Sequence, residues 1–128
     1  MVVGCLDFEK HTLQYSVAGH LPKPVLMTPG HIEYLPGEGM PVGLTPDPQY
    51  GLEETTLPET FMLVLMSDGV LETIDKVDLI EREKTLLQRL GGSLEKPGDL
   101  IRRLGLGEVT SDDLADDIAG LFVSRGVG

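Results

Sequence analysis

Between Phe61 and Met66 the chain reads FMLVLM, and it then breaks into Ser67, Asp68 and Gly69. A strand with one wet face alternates apolar and polar residues, so an unbroken apolar strand needs cover on both faces. Any fold for this chain must therefore supply a layer on each side of that segment. The run is far below the roughly 20 residues that span a bilayer. Its end poses a second question, because a carboxylate stands where a buried strand opens to solvent.

The chain has 128 residues, enough for one domain or part of one, and 41% of them are hydrophobic, so it can build a core. A disordered tail is excluded. The formal charge is −11 and the isoelectric point is near 4.5. No basic cluster exceeds Arg102-Arg103, so neither nucleic acid nor an anionic membrane is an expected partner. The N-terminus lacks the basic and apolar regions of a secretion signal, and the expectation is a soluble, cytoplasmic protein. The single cysteine, Cys5, allows no internal disulfide and reads as a packed thiol with no base beside it.

Strands come first along the chain and helices later. Met1 to Phe8 and Leu13 to Val17 form an expected hairpin, the second strand alternating with Gln14 and Ser16. Pro24 to Met27 and Ile32 to Leu35 flank Thr28-Pro29-Gly30-His31, whose Pro and Gly suit a type II turn. Pro36 to Pro48 holds four Pro and three Gly in thirteen residues and predicts an ordered loop. Strands follow at Tyr50 to Leu57 and Phe61 to Ser67. Val77, Ile80, Leu86, Leu87 and Leu90 then recur at helical spacing, with Asp78 placed to cap the start and Gly91-Gly92 to form a left-handed end. A shorter helix is predicted from Gly98 to Leu104. Ile118 to Val123 reads as a last apolar strand, with Asp116-Asp117 at its mouth.

Two strand-end carboxylate sites admit two readings. Asp begins turns, so Ser-Asp-Gly and Asp-Asp are turn signals. Alternatively, adjacent strands aim Asp68 and Asp116, with Asp117, at one hard divalent cation, for which carboxylate oxygens are fitting ligands. Gly69 would then let the backbone pass close to the ion. Asp112-Asp113 is a weaker competitor for that role. His20 reads as a structural hydrogen-bonding residue near the site or, alternatively, as a contact to substrate or water. His11 and His31 read as solvated turn residues, Met62 and Met66 as core, and Glu81 to Lys84 as a solvated helix face.

Four segments in order carry a resemblance. They are Tyr15 to His20 with Pro22 and Pro24, Gly39 to Leu44, Met66 to Val70 with Glu72, and Asp116 to Ala119. Together they resemble the metal-dependent serine/threonine phosphatases of the PPM (protein phosphatase 2C-like) type, in the bacterial branch that includes SpoIIE and RsbU. The resemblance implies an α+β fold, an antiparallel β-sandwich flanked by helices. It also implies a two-metal centre holding Mn²⁺ or Mg²⁺, with Asp68 and Asp116 as ligands and catalytic residues and Asp117 beside them. In that family a metal-bridging water attacks the phosphorus of phosphoserine or phosphothreonine.

By the same resemblance, residues 1–128 are the C-terminal portion of one phosphatase domain. A further metal-binding aspartate of the family lies upstream, so the metal site within these residues is expected to be incomplete. Asp7, in a hairpin, does not match that motif, and Ala119 stands where the family usually has Thr. The implied substrate is a phosphorylated switch protein such as an anti-anti-sigma factor, an upstream regulatory domain is expected, and a homodimer is compatible with the reading. The alternative is a phosphatase-like adaptor that docks a partner without catalysis.

Overall fold

A computed structural model describes residues 1–92, 94, 96–106 and 117–127. Two antiparallel sheets are stacked, and helices cover the outer face of the second. The first sheet has the order β1 (Val2–Asp7), β2 (Thr12–Val17), β5 (Glu53–Thr56). The second has the order β4 (His31–Tyr34), β3 (Val25–Thr28), β6 (Phe61–Met66), β7 (Gly120–Arg125). The helices are a single turn, α1 (Gly69–Glu72), then α2 (Leu79–Leu90) and α3 (Pro97–Arg103). The α+β sandwich expected from the resemblance is thus the architecture found. Among the described residues no helix covers the outer face of the first sheet.

The apolar strand β6 explains this layering. Phe61 and Leu63 face Leu13, Tyr15, Val17, Leu26 and Leu35 in the core between the sheets. Met62, Val64 and Met66 face Leu71, Ile74, Leu86, Leu90, Leu100 and Leu104 in the core beneath the helices. Each fully buried side chain of this size contributes ~1.5–3 kcal/mol. Opposite faces of one strand therefore seed two cores, and Met62 and Met66 are core residues on one face, as expected.

Several boundaries differ from the sequence expectation for identifiable reasons. β5 pairs with β2 and β6 with β3, so the connection through Pro58 crosses from one sheet to the other. β7 begins at Gly120 and not at Ile118, because the Ser67 hydroxyl takes the Ala119 N–H at 2.8 Å and the strand ladder starts one residue later. The end of α2 is not left-handed at Gly91, which is extended, and only Gly92 takes a positive φ of 124°. The Arg103 guanidinium instead donates to the carbonyls of Leu90 and Gly91, giving partners to acceptors at the open end of the helix. Asp78 caps α2 as expected, accepting from Ile80 N at 3.4 Å.

Cys5 is the clearest departure, being exposed. On β1 it pairs opposite Gln14, an exposed residue of β2, and it points away from the groove that Val2, Gly4 and Leu6 line. An apolar sequence did not reveal which alternate residues of an outer strand would face water.

Candidate functional site

β6 ends and β7 begins at the same end of the second sheet, since Met66 pairs with Gly120. Three contacts lock the chain just beyond that pair. Ser67 N donates to the Ala119 carbonyl at 2.8 Å, and the Ser67 hydroxyl accepts from Ala119 N at 2.8 Å while donating to the Asp117 carbonyl at 3.4 Å. The Asp117 backbone also runs against Gly69, where an added Cβ would lie 2.3 Å from the Asp117 oxygen. Gly69 is needed for this close approach.

Asp68 sits at the start of α1, with its carbonyl accepting from Leu71 N at 2.9 Å. Its side chain makes no capping hydrogen bond and is exposed. The turn thus forms without engaging the carboxylate, which weighs against the view that Asp68 is there only to start a turn.

Asp68 lines a cavity of about 510 Å³ with Gly19, His20, Leu21, Ser67, Leu71, Glu72, Leu79 and Arg82. His20 and Gly19 come from the end of β2, far from Asp68 in sequence. Gly19 has a φ of 60° and donates to the Gly39 carbonyl at 2.8 Å, and a Cβ there would lie 2.4 Å from Pro41 Cγ. Two of the segments that carried the resemblance, Tyr15 to His20 and Gly39 to Leu44, are therefore packed on each other, and the first shares a cavity with a third segment, Met66 to Val70.

Burial pushes the His20 imidazole below its ordinary pKa. The Met66 backbone and the Asp68 carboxylate oppose that shift. Nε2 of the ring is buried without a hydrogen-bond partner. His20 is thus a half-buried ring that shares the cavity with Asp68, and burial disfavours its protonated form.

Arg82 was not singled out in the sequence, where Glu81 to Lys84 reads as solvated. Glu81 and Lys84 are exposed, but the Arg82 side chain is only 25% exposed. Its Nε donates to the Lys76 carbonyl at 2.6 Å, and its Nη1 pairs with Glu72 Oε1 at 3.4 Å. A charge run has no period that marks one member as inward, so only packing of α2 beside α1 revealed it.

The donor chemistry at the strand ends fits a hard divalent cation: an unengaged carboxylate on Asp68 and a carbonyl of Asp117 held against the neighbouring glycine. Among the described residues no three His, Cys, Asp or Glu side chains converge on one point. Asp116, expected as the second ligand, lies outside the described residues, as do Asp112 and Asp113. His31 is exposed and lies 3.4 Å from Glu33, and His11 has a left-handed φ of 54° in its turn. Both are remote from this cavity. Asp7 accepts from Glu9 N and Lys10 N at 3.0 and 2.9 Å, closing the first hairpin.

A sequence model of stage II sporulation protein E, SpoIIE, matches residues 1–126. No curated relative matches the chain. Among solved structures, the RsbU and RsbW domains of a Mycobacterium tuberculosis protein are similar with a TM-score of 0.70 at 24% identity, over 98% of this chain and 36% of that one. The PP2C phosphatase domain with a fragment of the regulatory domain of the Bacillus subtilis cell fate determinant SpoIIE gives 0.67 at 16% identity, over 95% and 37%. The phosphatase domain of the same determinant, presoaked with Mn, gives 0.61 at 15%, over 98% and 56%. At these identities the likeness is one of fold, and the chain spans between about a third and somewhat over half of those structures.

Proposed function

The chain belongs to the SpoIIE family, and on that premise we propose that it is part of a phosphatase domain that hydrolyses phosphoserine or phosphothreonine on a regulatory protein. An anti-anti-sigma factor is the substrate class this reading favours, with an upstream regulatory domain controlling the activity. Asp68, Asp116 and Asp117 are the proposed metal-site residues, and residues preceding Met1 are proposed to complete the domain. The apolar groove flanked by β1 and β7, lined by Val2, Leu6, Leu121 and Val123 among others, supports that completion.

The carrying observation is Asp68, a carboxylate fixed by a strand buried on both faces, unengaged by its own turn, and open to a cavity. When bound there, Mn²⁺ or Mg²⁺ supplies a lowered pKa for water and neutralisation of charge on the phosphoryl oxygens. The chain's own residues provide placement. Ser67 ties β6 to the start of β7, and the Asp117 backbone lies against Gly69, the residue after Asp68. Gly69 leaves room for that approach. His20 lines the same cavity, with its protonated form disfavoured by burial.

The test uses the full-length protein and a phosphoserine-bearing anti-anti-sigma protein. Release of phosphate should require Mn²⁺ or Mg²⁺, stop on chelation, and fall more than about a hundredfold in Asp68→Asn at unchanged thermal stability. Metal-independent binding of the phosphoprotein with its phosphate left intact would instead establish the adaptor reading.

A further inference from the structure

We infer that Arg82 binds the phosphoryl group of the substrate and sets the preference of this site for phosphomonoester dianions, an assignment that rests on the phosphatase reading. The cavity beside Asp68 has carboxylates in its wall at Asp68 and Glu72, and Arg82 is the only Lys or Arg lining it among the described residues. A chain with a net charge of −11 repels a dianion at long range, so productive binding needs local positive charge.

Arg82 is built for that task. Its Nε is fixed by the Lys76 carbonyl and its Nη1 by Glu72, and Nη2 has no protein partner among the described residues. The guanidinium is thus oriented on one side and retains donors on the other. Its partial burial raises the worth of a charge-assisted hydrogen bond relative to one on an open surface. Lysine could supply the charge but not the planar fork that matches phosphate oxygens two at a time.

The two acidic walls then have different tasks. Glu72 orients Arg82, whereas Asp68 faces the cavity without a capping bond. A phosphate bound by Arg82 leaves the Asp68 carboxylate, which lines the same cavity, free for its own role.

The experiment follows the full-length protein on para-nitrophenyl phosphate and on the phosphoserine protein, with inorganic phosphate as competing inhibitor. Arg82→Ala should raise KM about tenfold to a hundredfold and weaken phosphate inhibition by a similar factor, with a smaller change in kcat. Arg82→Lys should recover part of the loss, and Mn²⁺ affinity should be unchanged in both variants. If Arg82→Ala proved unstable, Arg82→Lys alone would decide: unaltered KM and phosphate inhibition overturn the assignment. Those same unaltered values in a stable Arg82→Ala, with Asp68→Asn still inactive, would overturn the Arg82 assignment while leaving the phosphatase reading standing. A wild-type protein without metal-dependent phosphatase activity would overturn both.

Discussion

Two aspartates stand at the ends of strands in this molecule, and they are used in opposite ways. Asp7 ends β1, and its carboxylate accepts two backbone N–H groups, from Glu9 and Lys10, so that the side chain builds the hairpin. Asp68 follows β6, and its turn is held by others: the Leu71 N–H to the Asp68 carbonyl, and the Ser67 hydroxyl across to Ala119. One carboxylate is structural, and the other is left available. A strand-end aspartate is thus a candidate for chemistry when neighbouring groups have already satisfied the turn.

The sharpest way to break this contrast is to neutralise each carboxylate separately in the full-length protein. Asp68→Asn should reduce phosphate release by more than about a hundredfold with little change in thermal unfolding, whereas Asp7→Ala should leave the rate intact and lower the unfolding temperature slightly. Equal activity losses in both variants would show that the distinction drawn from the hydrogen bonds is mistaken.

Gly69→Ala probes the backbone approach at the second site. Its Cβ would meet the Asp117 oxygen at 2.3 Å, so the start of β7 must move, at a cost of ~1–3 kcal/mol typical of overpacking. Denaturant unfolding and kcat should both register the change. A variant as stable and active as wild type would mean that Asp117 is not held against the turn.

Ser67→Ala removes the side chain that stands in for a turn-closing carboxylate. Loss of the 2.8 Å bond to Ala119 should lower stability by about 1 kcal/mol, with a moderate fall in kcat as the strand ends loosen. If denaturant unfolding found no loss, the backbone bond from Ser67 N would be sufficient by itself.

The smallest effects concern pH. Asp7 has a pKa below its ordinary value, chiefly through the Lys10 N–H. Its stabilising contribution is present above the ordinary carboxylate value of 3.8 and is lost as pH falls through the lower folded value. His20 is also lowered, but by burial. For a histidine this means that the unfolded chain binds the proton more readily, so stability is full above about 6.5 and declines as pH drops below it. His20→Gln should flatten the first part of the acid limb and Asp7→Ala the last part; thermal unfolding across pH in the two variants would separate them, and identical profiles would refute the assignment.

Much of this was legible in the residues. Unbroken apolar runs located β1, β6 and β7, alternation located β2, and helical spacing located α2, because a segment that faces a core must carry apolar residues in a pattern set by its geometry. The unbroken run of β6 dictated cover on both faces, and the Pro-Gly turn at Pro29-Gly30 was readable because Gly30 must take a positive φ, here 76°. Ser-Asp-Gly was readable as a carboxylate at a strand mouth. What the sequence could not state was which acceptors and donors would meet from distant segments. Asp7 and Asp68 look alike as strand-end aspartates, and only their hydrogen-bond partners tell them apart. Arg82 looks like any member of a charged run until α2 packs beside α1 and turns it toward the cavity. Cys5 looks buried until β1 is found at the edge of its sheet with that side facing water. Local period is a property of neighbours in the chain, so the sequence determined it; the pairing of His20, Asp68 and Arg82 around one space depends on contacts between residues many positions apart, and tertiary packing alone decided it.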